Sequence, residues 1–153
     1  MFIARRALPV IFRSTLHKPS PSRLPLIRKM SAVPVFTKNA APAAGPYSQA
    51  IKTPHAIYVS GQIPCDPQGN LVEGTIQQKT ATCIGNMKAI LEEAGSGIEK
   101  VVKLTIFLAD MADFANMNEE YAKWFTHKPA RSCVAAKQLP KGVSVEIECI
   151  ALP

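Results

Sequence analysis

No run of about 18 consecutive apolar residues occurs in this chain, so the sequence encodes no membrane-crossing helix. Acidic residues are missing altogether from residues 1–30, where Arg5, Arg6, Arg13, Lys18, Arg23, Arg28 and Lys29 stand unopposed. Arginine, in turn, is nearly missing from residues 31–153: ten of the eleven cations there are Lys, and Arg131 is the exception. The four cysteines, Cys65, Cys83, Cys133 and Cys149, form no C-x-x-C pair and have no His at ligand spacing. That pattern excludes the usual zinc modules and leaves free thiols in a reducing compartment as the expectation. Neither a Ser-His-Asp set nor a Gly-rich phosphate loop is legible.

The formal charge of +7 suggests a nucleic-acid binder until its distribution is read. Seven of the eighteen Lys and Arg residues lie in 1–30, leaving eleven in 31–153 against eleven Asp and Glu. The body is therefore formally neutral, which argues against tight binding driven by phosphate neutralisation. An Arg-rich, acid-free, Ser-containing start is expected of a mitochondrial transit peptide. The alternative is a basic arm that stays attached and touches nucleic acid or anionic lipid. Phe2, Ile3, Leu8, Ile11 and Phe12 can line one side of a short helix, which Pro9 interrupts and Pro19, Pro21 and Pro25 forbid to continue. Cleavage is expected near Lys29 or Met30, and Met30 can also serve as a second start that yields a cytosolic form. Residues 31–153 are then one domain.

Within that body, residues 33–37, 47–51 and 56–63 read as strands, with Pro34 marking an edge. Asp66-Pro67-Gln68-Gly69 is a turn. Apolar residues at helical spacing, Ile76, Cys83, Ile84, Met87, Ile90 and Leu91, predict a helix over 75–94, stopped by Gly95 and Gly97. The β-branched run 101–108 predicts a central strand. A second helix starts near Asp113, expected as its N-cap, with Phe114, Met117, Tyr121, Trp124 and Phe125 along a core-packing face. Two strands, 132–138 and 143–151, finish the chain. The order β-β-β-α-β-α-β-β implies an α+β domain with two helices on one face of a mixed sheet.

Few residues stand out as chemistry. A lone Arg in a Lys-rich body suggests a task that needs a planar, permanently charged fork, such as gripping a carboxylate. A routine ion pair explains Arg131 equally well at this point. Glu146 alternates onto the polar face of the last strand, where most carboxylates are merely solvated. Its strand follows that of Arg131 through a short connection, so the two can lie near each other, and a carboxylate beside a bound anion can activate water. Tyr47 after Gly45-Pro46, and Ser60-Gly61, allow close backbone approach to a ligand, although ordinary turn and kink glycines are the commoner reading. Cys133 shares a strand face with Arg131; a buried, inert thiol is expected there rather than a nucleophile.

The blocks Pro129-Ala130-Arg131-Ser132-Cys133-Val134, Leu139-Pro140 and Val145-Glu146-Ile147-Glu148 resemble the hallmark of the RidA/YjgF/UK114 family. So do Ala43-Ala44-Gly45-Pro46-Tyr47-Ser48-Gln49-Ala50 and Val59-Ser60-Gly61-Gln62-Ile63-Pro64, and the likeness spans about residues 33–152. The resemblance implies a chorismate-mutase-like α+β fold and a homotrimer with sites between subunits. It implies hydrolysis of 2-aminoacrylate, 2-iminobutanoate and 2-iminopropanoate to 2-keto acids and ammonia, protecting pyridoxal-phosphate enzymes. For a mitochondrial member it further implies a matrix location and links to isoleucine metabolism and mitochondrial maintenance. Other activities ascribed to relatives are ligand binding, chaperone-like or regulatory roles, and endoribonuclease or translation-inhibitor action. On the resemblance Arg131 clamps the substrate carboxylate, Glu146 orients water, and Tyr47, Ser60, Gly61 and Cys133 line the pocket. No metal, cofactor, membrane or stable nucleic-acid partner is expected. Many relatives carry a pocket-lining Asn where this chain has Ala112, so substrate preference is where this chain is expected to differ.

Overall fold

The computed structural model describes residues 32–153; the expected transit peptide, its cleavage point and Met30 lie outside the described residues. Six strands and two helices follow in the expected order: β1 (Val33–Val35), β2 (Ala50–Lys52), β3 (Ile57–Gln62), α1 (Ile76–Glu93), β4 (Val101–Leu108), α2 (Phe114–Trp124), β5 (Ala130–Ala135) and β6 (Val145–Ala151). They form one mixed sheet in the order β1-β2-β3-β6-β4-β5. Every neighbouring pair is antiparallel except β4 and β5, which run parallel because α2 carries the chain back across the sheet. The architecture is α+β, with α1 and α2 against one face.

Local chemistry explains the helix limits. Thr75 accepts a hydrogen bond from the Gln78 amide, and the Gln78 side chain accepts from the Thr75 amide at 2.9 Å. This reciprocal cap is worth about 0.5–2 kcal/mol. Gly95 ends α1 at φ 76°, placing its amide on Glu92 O and the Ser96 amide on Leu91 O. Gly97 is extended and serves instead to open the next turn. Asp113, expected as the cap of α2, makes no side-chain cap. A short 3-10 turn over Met111–Asp113 precedes α2, and Asp110 caps that turn by accepting from the Ala112 amide at 2.8 Å.

Alternation along the strands separates the two faces. Ile57, Val59, Leu104, Ile106, Leu108, Val145, Ile147 and Ala151 are buried beneath the helices, with Cys83, Ile84, Met87, Ile90, Leu91 and Met117 packing down on them. Each large side chain so buried contributes about 1.5–3 kcal/mol. Glu146, Glu148, Tyr58 and Val134 point to the other face, which no helix covers; Tyr58 is 50 % exposed and Val134 47 %. Several strand limits differ from expectation. Residues 47–49 are loop rather than strand, and β5 runs over 130–135, not 132–138, because its ladder is set by the parallel register Lys103↔Ala130 to Leu108↔Ala135.

Candidate functional site

Arg131 sits on the helix side of edge strand β5, opposite Leu104 of β4. Its Nη1 donates to Asn118 Oδ1 of α2 at 2.6 Å. The guanidinium carbon lies 4.6 Å from the ring centre of Tyr121 and 5.7 Å from that of Phe114. These aromatic faces attract the cation and fix its plane. None of the ion pairs among the described residues involves Arg131, so the routine-ion-pair reading gives way to a guanidinium held by an amide and two rings. It retains N–H donors beyond the one given to Asn118. An open crevice of about 440 Å³ lies against it, lined among others by Asn118, Tyr121, Phe125, Lys128 and Pro129.

Glu146 occupies a different place. It pairs with Phe107 across β4–β6 and so faces the helix-free side. Arg131 and Glu146 therefore do not meet within one chain, contrary to the expected proximity. β4 lies between their strands, and the two-residue period of each strand turns them to opposite faces. Around Glu146 the structure gathers Tyr47, Ser60, Gly61, Ala44, Pro140 and Glu148 in a second open crevice of about 480 Å³. Burial pushes the Glu146 carboxyl above the usual carboxylate range, and the charge of Glu148 pushes it further the same way. A base of raised proton affinity that stays half-buried is better suited to activating water than a solvated one.

The wall of this second crevice is a bulge. Val59 pairs with Cys149 and Gln62 with Ile147, so β3 spends one more residue than β6 over that interval, and Ser60 and Gly61 share the excess. A methyl group at Gly61 would overlap Oε1 of Glu146 and stand 2.9 Å from its Cδ. Glycine here lets the carboxylate lie against the backbone. The Ser60 hydroxyl donates to Ser48 O at 2.7 Å and its amide to Gln49 O at 3.0 Å, tying the Tyr47 loop to the bulge. Buried Gln49 donates to Ala41 O at 2.8 Å and to Thr37 O at 3.1 Å and accepts from the Thr37 amide. Asn86 of α1 accepts from the Ala41 amide and donates to Cys65 O. Buried amides thus hold the loop that presents Tyr47, whose hydroxyl accepts from the Ala44 amide at 3.1 Å.

Of the six residues singled out in the sequence, Tyr47, Ser60, Gly61 and Glu146 come together, Arg131 stands apart, and Cys133 lines neither crevice. Cys133, expected to be buried, is only partly so; what burial it has raises its thiol pKa, against a lowering pull from Arg131. Ala112 is exposed in the 3-10 turn and lines neither crevice; the amide that faces the guanidinium is Asn118. Sequence reading missed Asn118, although it stands at positions i, i+4, i+7 with Phe114 and Tyr121, a polar residue inside an apolar stripe. Phe114 and Tyr121, read as core, also serve as the bed of Arg131. Among the described residues no cluster of His, Cys, Asp or Glu is placed to hold a metal.

The sequence profile of the Endoribonuclease L-PSP family matches residues 37–153. "Protein MMF1, mitochondrial" of Saccharomyces cerevisiae is 48% identical over 131 residues, covering 84% of this chain and 90% of that protein. "Protein mmf1, mitochondrial" of Schizosaccharomyces pombe is 46% identical over 148 residues, covering 94% and 91%. The crystal structure of yeast Mmf1 superposes with a TM-score of 0.78 at 49% identity, over 80% of this chain and 98% of that one. That of E. coli TdcF with bound serine gives a TM-score of 0.76 at 37% identity, over 79% and 98%.

Proposed function

The chain belongs to the Endoribonuclease L-PSP family, the RidA/YjgF proteins, and on that premise we propose that it hydrolyses 2-imino and enamine acids to 2-keto acids and ammonia. The observation that carries this reading is Arg131: a guanidinium fixed by Asn118, Tyr121 and Phe114, unpaired with any carboxylate among the described residues and facing an open crevice. Such a group is set to receive the carboxylate of a small amino-acid derivative. A family member solved with bound serine is a protein of similar fold that holds a molecule of this kind.

The two crevices of one chain each hold half of what the reaction needs. We place them together between subunits of a homotrimer, so that Arg131 of one protomer faces Glu146, Tyr47 and Gly61 of its neighbour. The helix-free sheet face, with Tyr58 and Val134 about half exposed, offers the apolar surface for that assembly. Arg131 anchors the carboxylate and so presents C2 of the substrate. Glu146 accepts a proton from a water that adds to C2. Glu146 returns that proton to the nitrogen, giving the neutral carbinolamine; the hydroxyl proton of the carbinolamine then passes through Glu146 to the nitrogen as the C–N bond breaks, and ammonia leaves with a C2 carbonyl behind. The backbone beside Gly61 and the Tyr47 hydroxyl border the path of the water. The substrates proposed for this arrangement are 2-iminopropanoate, 2-iminobutanoate and, once protonated at C3 to its imine tautomer, 2-aminoacrylate.

The leader composition and the two relatives named as mitochondrial support a matrix location with residues 1–30 removed, and roles in isoleucine metabolism and mitochondrial maintenance would follow from the chemistry there. The test uses 2-iminobutanoate generated in situ by an amino-acid oxidase. The protein accelerates keto-acid formation, and Arg131→Ala lowers kcat/KM by about 10- to 100-fold, the range for losing a charge-assisted hydrogen bond of about 1.5–3 kcal/mol. RNA cleavage without imine hydrolysis would transfer the family's nuclease designation to this chain instead. Binding of small carboxylates without either activity would make it a ligand-binding protein.

A further inference from the structure

The Arg131 crevice contains a second cation that the deaminase reading leaves unused. Lys128 closes the turn between α2 and β5 and lines the same crevice as Asn118, Tyr121 and Arg131. Its backbone is left-handed, with φ 54°, a region normally left to glycine or asparagine. The strained conformer is locked from both sides. The Lys128 amide donates to Phe125 O at 3.1 Å, and Pro129 fixes the following φ. Residues in such conformations concentrate at ligand clamps. Within one chain, among the described residues, no carboxylate lines this crevice and no ion pair engages either Lys128 or Arg131; in the proposed trimer the carboxylate that faces Arg131 is the water-activating Glu146 of the neighbouring protomer. Only Pro129 and Ala130 lie between Lys128 and Arg131, so their Cα atoms are at most about 11 Å apart, and both head groups can reach one small molecule lying over Tyr121.

From this we infer that Lys128 is a second anion anchor, and that the crevice takes 2-imino dicarboxylates, the products of oxidising aspartate or glutamate. The inference rests on Arg131 receiving the C1 carboxylate. The two cations differ in a way that suits two different tasks. The fixed planar fork of Arg131 orients the end of the molecule next to the reacting carbon. Lys128 is a point charge on a flexible stem and follows a distal carboxylate whose reach differs between four- and five-carbon acids. The chemical step is unchanged: water adds at C2, ammonia leaves, and a 2-oxo dicarboxylate is released.

The experiment compares kcat/KM of the full chain for 2-iminoglutarate and 2-iminosuccinate, made in situ from D-glutamate and D-aspartate by a D-aspartate oxidase, with that for 2-iminobutanoate. Lys128→Asn removes the charge with a residue that tolerates the left-handed backbone. It lowers the dicarboxylate-to-monocarboxylate ratio by about tenfold or more, as expected for losing a charge-assisted contact, while Lys128→Arg restores the ratio to within about threefold. A ratio that does not move, or equal losses on both substrate classes, overturns the second anchor while leaving the deaminase reading standing. Wild-type protein that hydrolyses 2-iminobutanoate but neither dicarboxylic imine also overturns it. If no imine of either class is hydrolysed, the deaminase reading itself has failed and the second anchor with it.

Discussion

Replacing Gly61 with alanine tests the carboxyl half of the site without touching a charge. The added methyl overlaps Oε1 of Glu146 and lies 2.9 Å from Cδ and 3.1 Å from Cγ, where ordinary contact begins near 3.4 Å. Gly61 does not have a left-handed φ, so its backbone accepts alanine, and the flexible end of Glu146 yields rather than the sheet. Moving the Cδ contact out to 3.4 Å requires at least about 0.5 Å of retreat, and the overlapping oxygen must travel further. A reacting group misplaced by about 1 Å can cost about 100-fold in rate, or about 2.7 kcal/mol of barrier. Steady-state kinetics on 2-iminobutanoate should therefore show kcat/KM down by about 100-fold, with a melting temperature within about 3 °C of wild type. The double variant Gly61→Ala/Glu146→Asp shortens the acid by one methylene and should recover part of the loss, a non-additive pair. Activity within about threefold of wild type in Gly61→Ala would refute the argument that the carboxylate's position against the bulge matters.

Further outcomes follow from the same geometry. Mixing equal amounts of Arg131→Ala and Glu146→Gln chains, unfolded and refolded together, should restore roughly a quarter of wild-type activity, because only interfaces uniting two intact halves work; a mixture as dead as its parents would sink the intersubunit site. Glu146 has its proton affinity raised by burial and by Glu148, so kcat/KM should fall on acidification with a midpoint above the ordinary 4.5. The same shift costs stability. That cost is absent below the unfolded-state value and appears as pH rises through the folded-state one, so Glu146→Gln should melt higher than wild type at pH 7.5 and level with it near pH 4. Asn118→Leu leaves the guanidinium charge but frees its plane, and KM should rise about tenfold with a smaller change in kcat; an unchanged KM would show that the 2.6 Å hydrogen bond is not what orients Arg131.

Element order was legible in the sequence because its signals are local. The apolar stripe from Ile76 to Leu91 announces α1, Gly95 its end, and the β-branched run of 101–108 an interior strand. The limits of β5 were not legible, since Ala130 and Arg131 join the ladder only through parallel pairing with β4, a contact made after α2 has crossed the sheet. Nearness in sequence also misled at the site. A short connection joins β5 to β6, yet β4 lies between them in the sheet, and strand parity then sends Arg131 and Glu146 to opposite faces. Tyr47, Ser60, Gly61 and Glu146 share one crevice, but Arg131 and Cys133, singled out with them, do not join it, and Asn118 was hidden inside a stripe that reads as core.

On the proposed intersubunit site, the protein's own concentration becomes a kinetic variable. Dilution below the assembly threshold would silence every chain while each kept its fold, since neither side alone both holds the acid and supplies the water. Substitutions on the helix-free face at Tyr58 or Val134, remote from any bond that changes, would then mimic lesions of the chemistry itself, and adding more protein would cure them.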